Sequence, residues 1–182
     1  YDAPYGHGEM VLDNVRVPKE NLIMGPGKGF AIAQGRLGPG RIHHCMRSIG
    51  MAEQALELGI KRALSRTAFG KPLAELGGNK ERIAIARMKI EQARLLTLQA
   101  AWKIDHLGVK NAMTDISAIK VVVPQMLQEI IDMSVQLHGG GGMSNDFPLA
   151  RFMAGARSLR LADGPDEVHM AMVSRLELKK YQ

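Results

Sequence analysis

The strongest helical periodicity in the chain lies over Lys80–His106, KERIAIARMKIEQARLLTLQAAWKIDH. Apolar or small residues recur in it at steps of three and four, at Ile83, Ala86, Ile90, Ala93, Thr97, Ala100 and Ile104. This spacing places them on one face of an α-helix. We therefore predict a long amphipathic helix that ends near Gly108.

The segments on either side show the same periodicity. It predicts one helix from Arg41 to about Ser65 and another over Thr114–His138, in which Pro124 should cause a kink or an end. A shorter helical segment over residues 145–161 and a final helix after Gly164 follow. Few β-type residues and short connections favour an all-α, up-and-down helical bundle.

The first part of the chain has a different pattern. Residues 9–23, EMVLDNVRVPKENLI, form short β-type runs interrupted by Asp13-Asn14 and Pro18. The first ten residues contain neither a signal-peptide pattern nor an initiating Met in position 1, so we expect the chain to begin within a larger protein. GPGKGF at 25–30 predicts a turn, and its spacing leaves a plain linker and a phosphate-binding turn both open.

The composition is that of one globular domain. The 182 residues are 46% hydrophobic, and the net charge of +6 favours anionic partners such as phosphate-bearing ligands. A nucleic-acid-binding bundle is disfavoured because aromatic residues do not alternate with the basic ones. The single cysteine, Cys45, excludes an internal disulfide and is expected to be buried, and no apolar run is long enough to span a bilayer.

Residues 161–170, LADGPDEVHM, mark the start of the last helix. Pro165 suits the first position of a helix, and Asp166 and Glu167 suit the positive end of its dipole. Asp163 precedes that first turn, so it is either a cap or solvated charge, or a catalytic base.

Two loops and several basic residues are further candidates. RTAFGKPL at 66–73 could hold a phosphate through Arg66, although an Arg at a helix end is equally well explained by the dipole. QLHGGGGM at 136–143 predicts either a diphosphate-binding turn with freely oriented amides or a flexible loop. Arg41, predicted just inside the first helix, opposes the dipole and should serve another purpose.

The histidines give no metal-ligand spacing. His43 and His44 are adjacent and so point to different faces, and His138 and His169 are isolated. We expect all of them to be packing or surface residues.

Six segments together carry a resemblance to a known family. They are VLDNVRVPKENLI, GKGF, Gly40-Arg41, RTAFGKPL, QLHGGGGMSNDFPLAR and LADGPDEVH. In this order and spacing, from about Glu9 to the end, the chain resembles the C-terminal half of the acyl-CoA dehydrogenases. The Asp-Gly-Pro loop is similar to that of large multidomain eukaryotic members and their bacterial relatives. The resemblance implies that residues 1–24 are the tail of the middle β-domain and residues 25–182 the C-terminal helical domain of a homodimer or homotetramer.

The resemblance also implies a reaction. Asp163 occupies the position of the family's catalytic Glu, with Ala162 in place of its Tyr and Pro165 in place of its Thr. The implied chemistry is removal of the α-proton of an acyl-CoA by Asp163 and transfer of a hydride to FAD. A trans-2-enoyl-CoA results, and the electrons pass to an electron-transferring flavoprotein.

The remaining site residues are carried over from the family's motifs. The resemblance implies that Arg41 and Gly164 contact the substrate. FAD would be contacted by Arg66, Phe69, Gln136, Gly139, Gly140, Pro165 and Glu167, of which Arg66 and Phe69 touch the flavin of a neighbouring subunit. Ala68 replaces the family's Thr, which removes one hydroxyl contact to the cofactor, and Gly141 replaces the family's Asn.

Two alternatives stay open at this point. The chain could belong to an acyl-CoA oxidase, or be a non-catalytic helical oligomerisation module, which the Asp-for-Glu exchange favours. Because the N-terminal domain and most of the β-domain are missing, we expect the chain alone to be inactive. The resemblance implies a cytoplasmic location in a bacterium and a mitochondrial or peroxisomal one in a eukaryote.

Overall fold

Five helices build the domain in a computed structural model that describes residues 6–182. They are α1 (Gly29–Ser65), α2 (Asn79–Leu107), α3 (Met113–His138), α4 (Leu149–Leu159) and α5 (Asp166–Leu178). The all-α prediction is confirmed. Residues 1–5, the start of the stretch 1–24 that is expected to be the tail of the middle β-domain, lie outside the described residues.

Helix α3 is the centre of the bundle and packs against the four other helices. It runs parallel to α1, since Cys45 donates to the carbonyl of Ile119 and Ser134 to that of Ala55. Helix α2 runs antiparallel to both, as the ion pairs Lys89–Glu129 and Lys103–Asp115 show. The first three helices therefore alternate in direction, as predicted for an up-and-down bundle.

The predicted apolar faces form the core. The buried members of these faces are Ile42, Cys45, Ile49, Ala52, Leu56, Ala63, Ala86, Ile90, Ala93, Thr97, Ala100, Ile116, Ile119, Val123, Leu127, Ile130 and Leu137. Burial raises the pKa of the Cys45 thiol to about 12, because the thiolate would lose its hydration. Helical periodicity thus identified the core correctly.

The predicted start of the first helix was wrong. Helix α1 begins at Gly29 and runs through Pro39, so Arg41 lies well inside it and the argument from the helix dipole does not apply. The residue four positions before Pro39 is Gly35, and tertiary packing stabilises this part of the helix, because Gly38 is buried close to the side chain of Val109.

The other helix boundaries lie close to the predictions. Helix α2 begins one residue earlier and ends one residue later than expected, and Gly108 follows it with a positive φ of 78°. Helix α3 continues through Pro124 to His138. The segment predicted over residues 145–161 is helical only over Leu149–Leu159, and Pro165 is the N-cap residue of α5 rather than its first helical residue.

A short hairpin occupies the connection between α1 and α2. Strand β1 (Thr67–Ala68) pairs antiparallel with β2 (Lys71–Pro72), Thr67 opposite Pro72. Its two central residues, Phe69 and Gly70, both have positive φ, as in the primed turns that suit two-residue hairpins.

The segment before α1 does not pack as a sheet. Residues 6–24 contain a 3₁₀ helix at Lys19–Asn21 and no strand. Its apolar side chains are exposed, among them Val11, Leu12, Val15 and Val17. Within residues 6–182, no helix has the length and apolar character needed to cross a membrane.

Candidate functional site

The loop between α4 and α5 holds Asp163 in an unusual backbone conformation. Asp163 has a φ of 56° and Gly164 a φ of 105°, two positive values in succession. A Cβ on Gly164 would lie 2.9 Å from His169 Nε2, so only glycine fits there. No side chain caps the start of α5, which removes the capping interpretation of Asp163.

Basic side chains from three helices bind the main chain of this loop. Arg41 Nε on α1 donates to the carbonyl oxygen of Asp163 at 3.1 Å, and His169 Nε2 on α5 lies 3.2 Å from the same oxygen. Lys120 Nζ on α3 donates to the carbonyls of Leu159 (2.5 Å) and Gly164 (3.4 Å). These bonds fix the backbone on both sides of Asp163.

The carboxylate of Asp163 has its own partner. His44 Nε2 lies 3.0 Å from Asp163 Oδ2, and both side chains are about three-quarters buried. On its other side, His44 Nδ1 lies 2.7 Å from an Nη2 of Arg47. Burial lowers the pKa of His44; Asp163 opposes this, while Arg47 and Lys120 add to it.

The other basic groups around the loop are also partly desolvated. Burial lowers the pKa of Lys120, although its side chain is held near Asp163 and Asp166, which act in the opposite direction. Burial lowers the pKa of His169 and of Arg41 as well, and Asp163 opposes the change at both. The loop therefore lies in a cluster of cationic and imidazole groups with restricted access to water.

The start of α5 is held by a second carboxylate. Asp166 is buried, and its Oδ2 accepts hydrogen bonds from Arg160 Nε (2.7 Å) and Gln125 Nε2 (3.2 Å). Pro165 is half-buried, and its carbonyl accepts from the backbone of the first turn. Glu167 is exposed in that turn. Asp166 thus has a structural role at the start of α5.

Two cavities approach the His44–Asp163 pair. One, of about 310 Å³, is lined by Gln34, Leu37, Arg41, Asp163, Gly164 and Val168 among others. The second, of about 970 Å³, begins at His44 and Ala162 and extends along Met51, Gln54 and Ser158. The loop therefore presents Asp163 to space that a ligand could enter.

The other candidate residues lie at the opposite end of the bundle. Leu137, next to Gln136, packs with Ala63 and Ala74, so the end of α3 adjoins the hairpin that carries Arg66 and Phe69. The side chain of Phe69 is 96% exposed, and Arg66 and Gln136 are exposed too. From Lys120 to Gln136, a rise of 1.5 Å per residue along α3 gives about 24 Å. Within one chain, these residues are therefore far from Asp163.

The glycine turn differs in part from the prediction of freely oriented amides. The N–H of Gly139 bonds to the carbonyls of Val135 and Gln136, and its φ of 62° ends the helix. A Cβ on Gly142 would lie 2.8 Å from the carbonyl oxygen of Val135, so this glycine is needed for packing. Gly139 and Gly140 have open space beside their Cα atoms, which allows a ligand to approach the backbone closely.

The surface at this end fits a dinucleotide. An exposed aromatic ring and an exposed arginine on the hairpin, together with open glycine backbone beside them, supply stacking, charge and close approach. These groups are of the kind that bind a dinucleotide such as FAD.

Three residues of the Asp163 cluster were missed in the sequence. All the histidines were expected to be packing or surface residues, and buried His138 and His169 and exposed His43 agree with this, but the contacts of His44 and His169 with Asp163 were not predicted. Lys120 was not singled out, although it lies three residues before Val123 on the apolar face of α3. A lysine at a core position was the available signal.

A family model described as "Acyl-CoA dehydrogenase, C-terminal domain" matches residues 27–178. The chain belongs to the acyl-CoA dehydrogenase family.

Similar proteins agree with this assignment. Acyl-CoA dehydrogenase family member 10 of Mus musculus is 58% identical over 178 residues, which cover 98% of this chain and 17% of that protein. A solved structure from Mycobacterium abscessus, named for an acyl-CoA dehydrogenase, has a TM-score of 0.90 at 63% identity and covers 93% of this chain and 42% of that one.

A more distant structure has the same fold. Butyryl-CoA dehydrogenase of Megasphaera elsdenii has a TM-score of 0.83 at 33% identity, with 92% of this chain and 43% of that chain covered. The chain therefore spans less than half the length of each of these three proteins.

Proposed function

We propose that this chain is the C-terminal part of a flavin-dependent acyl-CoA dehydrogenase that converts an acyl-CoA to a trans-2-enoyl-CoA, with Asp163 as the base. The observation that carries the proposal is the placement of Asp163. Its backbone is fixed by Arg41, His169 and Lys120 in a strained turn, and its side chain borders a cavity. Strain that is stabilised by three helices is typical of a functional position.

The chemistry assigned to Asp163 is proton abstraction. Its carboxylate takes the proton from the carbon next to the thioester carbonyl, and the electrons of that C–H bond become the new α,β double bond as a hydride leaves the β-carbon. Arg41 and Gly164 line the same cavity, where they orient the substrate beside the base. FAD, when bound, supplies the acceptor for the hydride.

The separation of the two ends supports a role for a neighbouring subunit. Within one chain, Gln136 lies roughly 24 Å along α3 from the level of Lys120, and Arg66, Phe69, Gly139 and Gly140 lie at the same end of the bundle as Gln136. They therefore serve a flavin other than the one beside their own Asp163, in a homodimer or homotetramer. Pro165 and Glu167 lie in the same turn as Asp163, where they would contact the flavin used by that loop.

An electron-transferring flavoprotein completes the proposed cycle by reoxidising the flavin. The use of this partner distinguishes a dehydrogenase from an acyl-CoA oxidase, in which oxygen accepts the electrons. A non-catalytic module would pass electrons to neither acceptor.

The test is anaerobic mixing of the complete gene product, purified with its flavin, with a panel of straight and branched acyl-CoAs. We expect at least one acyl-CoA to bleach the flavin and to yield a product two hydrogens lighter by mass spectrometry. Reoxidation by an electron-transferring flavoprotein, with slow reoxidation by oxygen, identifies the dehydrogenase. Bound flavin that no acyl-CoA in the panel bleaches would contradict the proposal.

A further inference from the structure

The contact between His44 and Asp163 differs in type from the other contacts of the loop. Arg41, His169 and Lys120 all bind main-chain carbonyls. His44 alone among these basic residues pairs with the carboxylate, through Nε2 and Oδ2 at 3.0 Å. The backbone of Asp163 is therefore held independently of the direction in which its side chain points.

The neighbour of His44 fixes which ring nitrogen carries the proton. His44 and Arg47 are three residues apart on α1 and so lie on the same face. Arg47 Nη2 lies 2.7 Å from His44 Nδ1, and a guanidinium can only donate. Nδ1 is then the acceptor, and the neutral imidazole has its hydrogen on Nε2, directed at the carboxylate.

The short side chain of Asp163 explains why a hydrogen bond from His44 matters. Asp is one methylene shorter than Glu, so its carboxylate has less reach and fewer orientations from which to meet a substrate carbon. A hydrogen bond to Oδ2 selects one rotamer and leaves Oδ1 as the more basic oxygen. Misplacement of a reacting group by about 1 Å can cost about a hundredfold in rate.

We propose that His44 is the positioning residue of Asp163, whose Nε2–H holds the carboxylate so that Oδ1 takes the α-proton. This inference rests on the proposed function of Asp163 as the base. In the step itself the substrate C–H bond breaks and an O–H bond forms at Oδ1. His44 neither gains nor loses a proton.

Two amide substitutions of similar polarity test the inference in the complete gene product. His44→Gln places an amide N–H near the position of Nε2, whereas the shorter His44→Asn places it near that of Nδ1, away from Asp163. We expect His44→Asn to lower the limiting rate of flavin bleaching by about a hundredfold, with an apparent acyl-CoA dissociation constant within about threefold of wild type. His44→Gln should remain within about fivefold of the wild-type rate.

Flavin content and thermal unfolding show whether each variant folds, and His44→Leu supplies a second variant without a donor. Three results would each overturn the role of His44. They are equal bleaching rates in all variants, equal losses of rate in His44→Gln and His44→Asn, or a loss of acyl-CoA affinity without a loss of rate. The proposed function fails separately, since it requires that Asp163→Asn abolish bleaching whatever the His44 variants do.

Discussion

Gly164 shows most clearly how single residues shape the site. Its φ of 105° is unfavourable for any side chain, and the space where a Cβ would lie is taken by His169. The sequence pointed to this position through the Gly-Pro pair before the last helix. The contacts of His44 and His169 could not be predicted, because they join residues more than a hundred positions apart or depend on how the loop folds back.

We expect Gly164→Ala to lower the free energy of unfolding by about 1–3 kcal/mol, because it adds backbone strain and a clash with His169. The same change should reduce flavin bleaching by acyl-CoA at least about tenfold, since the turn carries Asp163. The matched control is Gly155→Ala in helix α4, where a Cβ meets no atom within 4 Å.

The control should be neutral or more stable by about 0.5–1 kcal/mol. Chemical denaturation and single-turnover kinetics measure both variants. Equal stability and activity in the two variants would show that the turn tolerates a side chain.

Lys120 links helix α3 in the core to the loop that carries Asp163. Lys120 is fully buried, yet its amine reaches the carbonyls of Leu159 and Gly164 at both ends of the loop. Periodicity predicted the apolar face of α3 correctly because burial of aliphatic residues repeats every three to four positions. It could not predict Lys120, whose burial depends on carbonyl groups of a distant segment.

We expect Lys120→Met to destabilise the protein by about 2–3 kcal/mol, because the ammonium is lost and buried carbonyl oxygens are left without a donor. Flavin bleaching should also slow, since the loop loses one of its anchors. Lys89→Met is the control: this lysine pairs with Glu129 at the surface, and its loss should cost less than about 1 kcal/mol.

Urea denaturation of both variants gives the comparison. A Lys120→Met protein as stable as the Lys89→Met protein would contradict an anchoring role for the buried amine.

At the scale of the whole bundle, the candidate site residues lie at two opposite ends. Asp163 lies at one end, and the hairpin with Phe69 and the turn after Gln136 lie at the other. The helices and their order followed from the sequence, but the early start of α1 did not, because Pro39 and its neighbouring glycines disfavour a helix locally and packing against Val109 overrides them. The sequence did not predict the distance between the two ends, because this distance depends on the parallel packing of α1 and α3.

We expect Phe69→Ala in the complete gene product to lower the flavin bound per subunit and to raise the dissociation constant for FAD about tenfold, since an exposed ring has no packing role within its own chain. Tyr181→Ala is the control, because this ring is also exposed, at 83%. Flavin absorbance after gel filtration measures both, and the elution volume reports the oligomeric state. Full flavin retention by Phe69→Ala would contradict a contact with the cofactor.

Two Asp-to-Asn variants of the complete gene product, each with its flavin bound, test whether Asp163 is the base. Asp163→Asn removes the proposed base, and Asp105→Asn changes an exposed carboxylate on α2. In anaerobic stopped-flow mixing with an acyl-CoA that bleaches the wild type, Asp163→Asn should be slower by about a thousandfold or more, a barrier increase of about 4 kcal/mol. Asp105→Asn should remain within about twofold of wild type. Bleaching of Asp163→Asn at the wild-type rate would show that Asp163 is not the base.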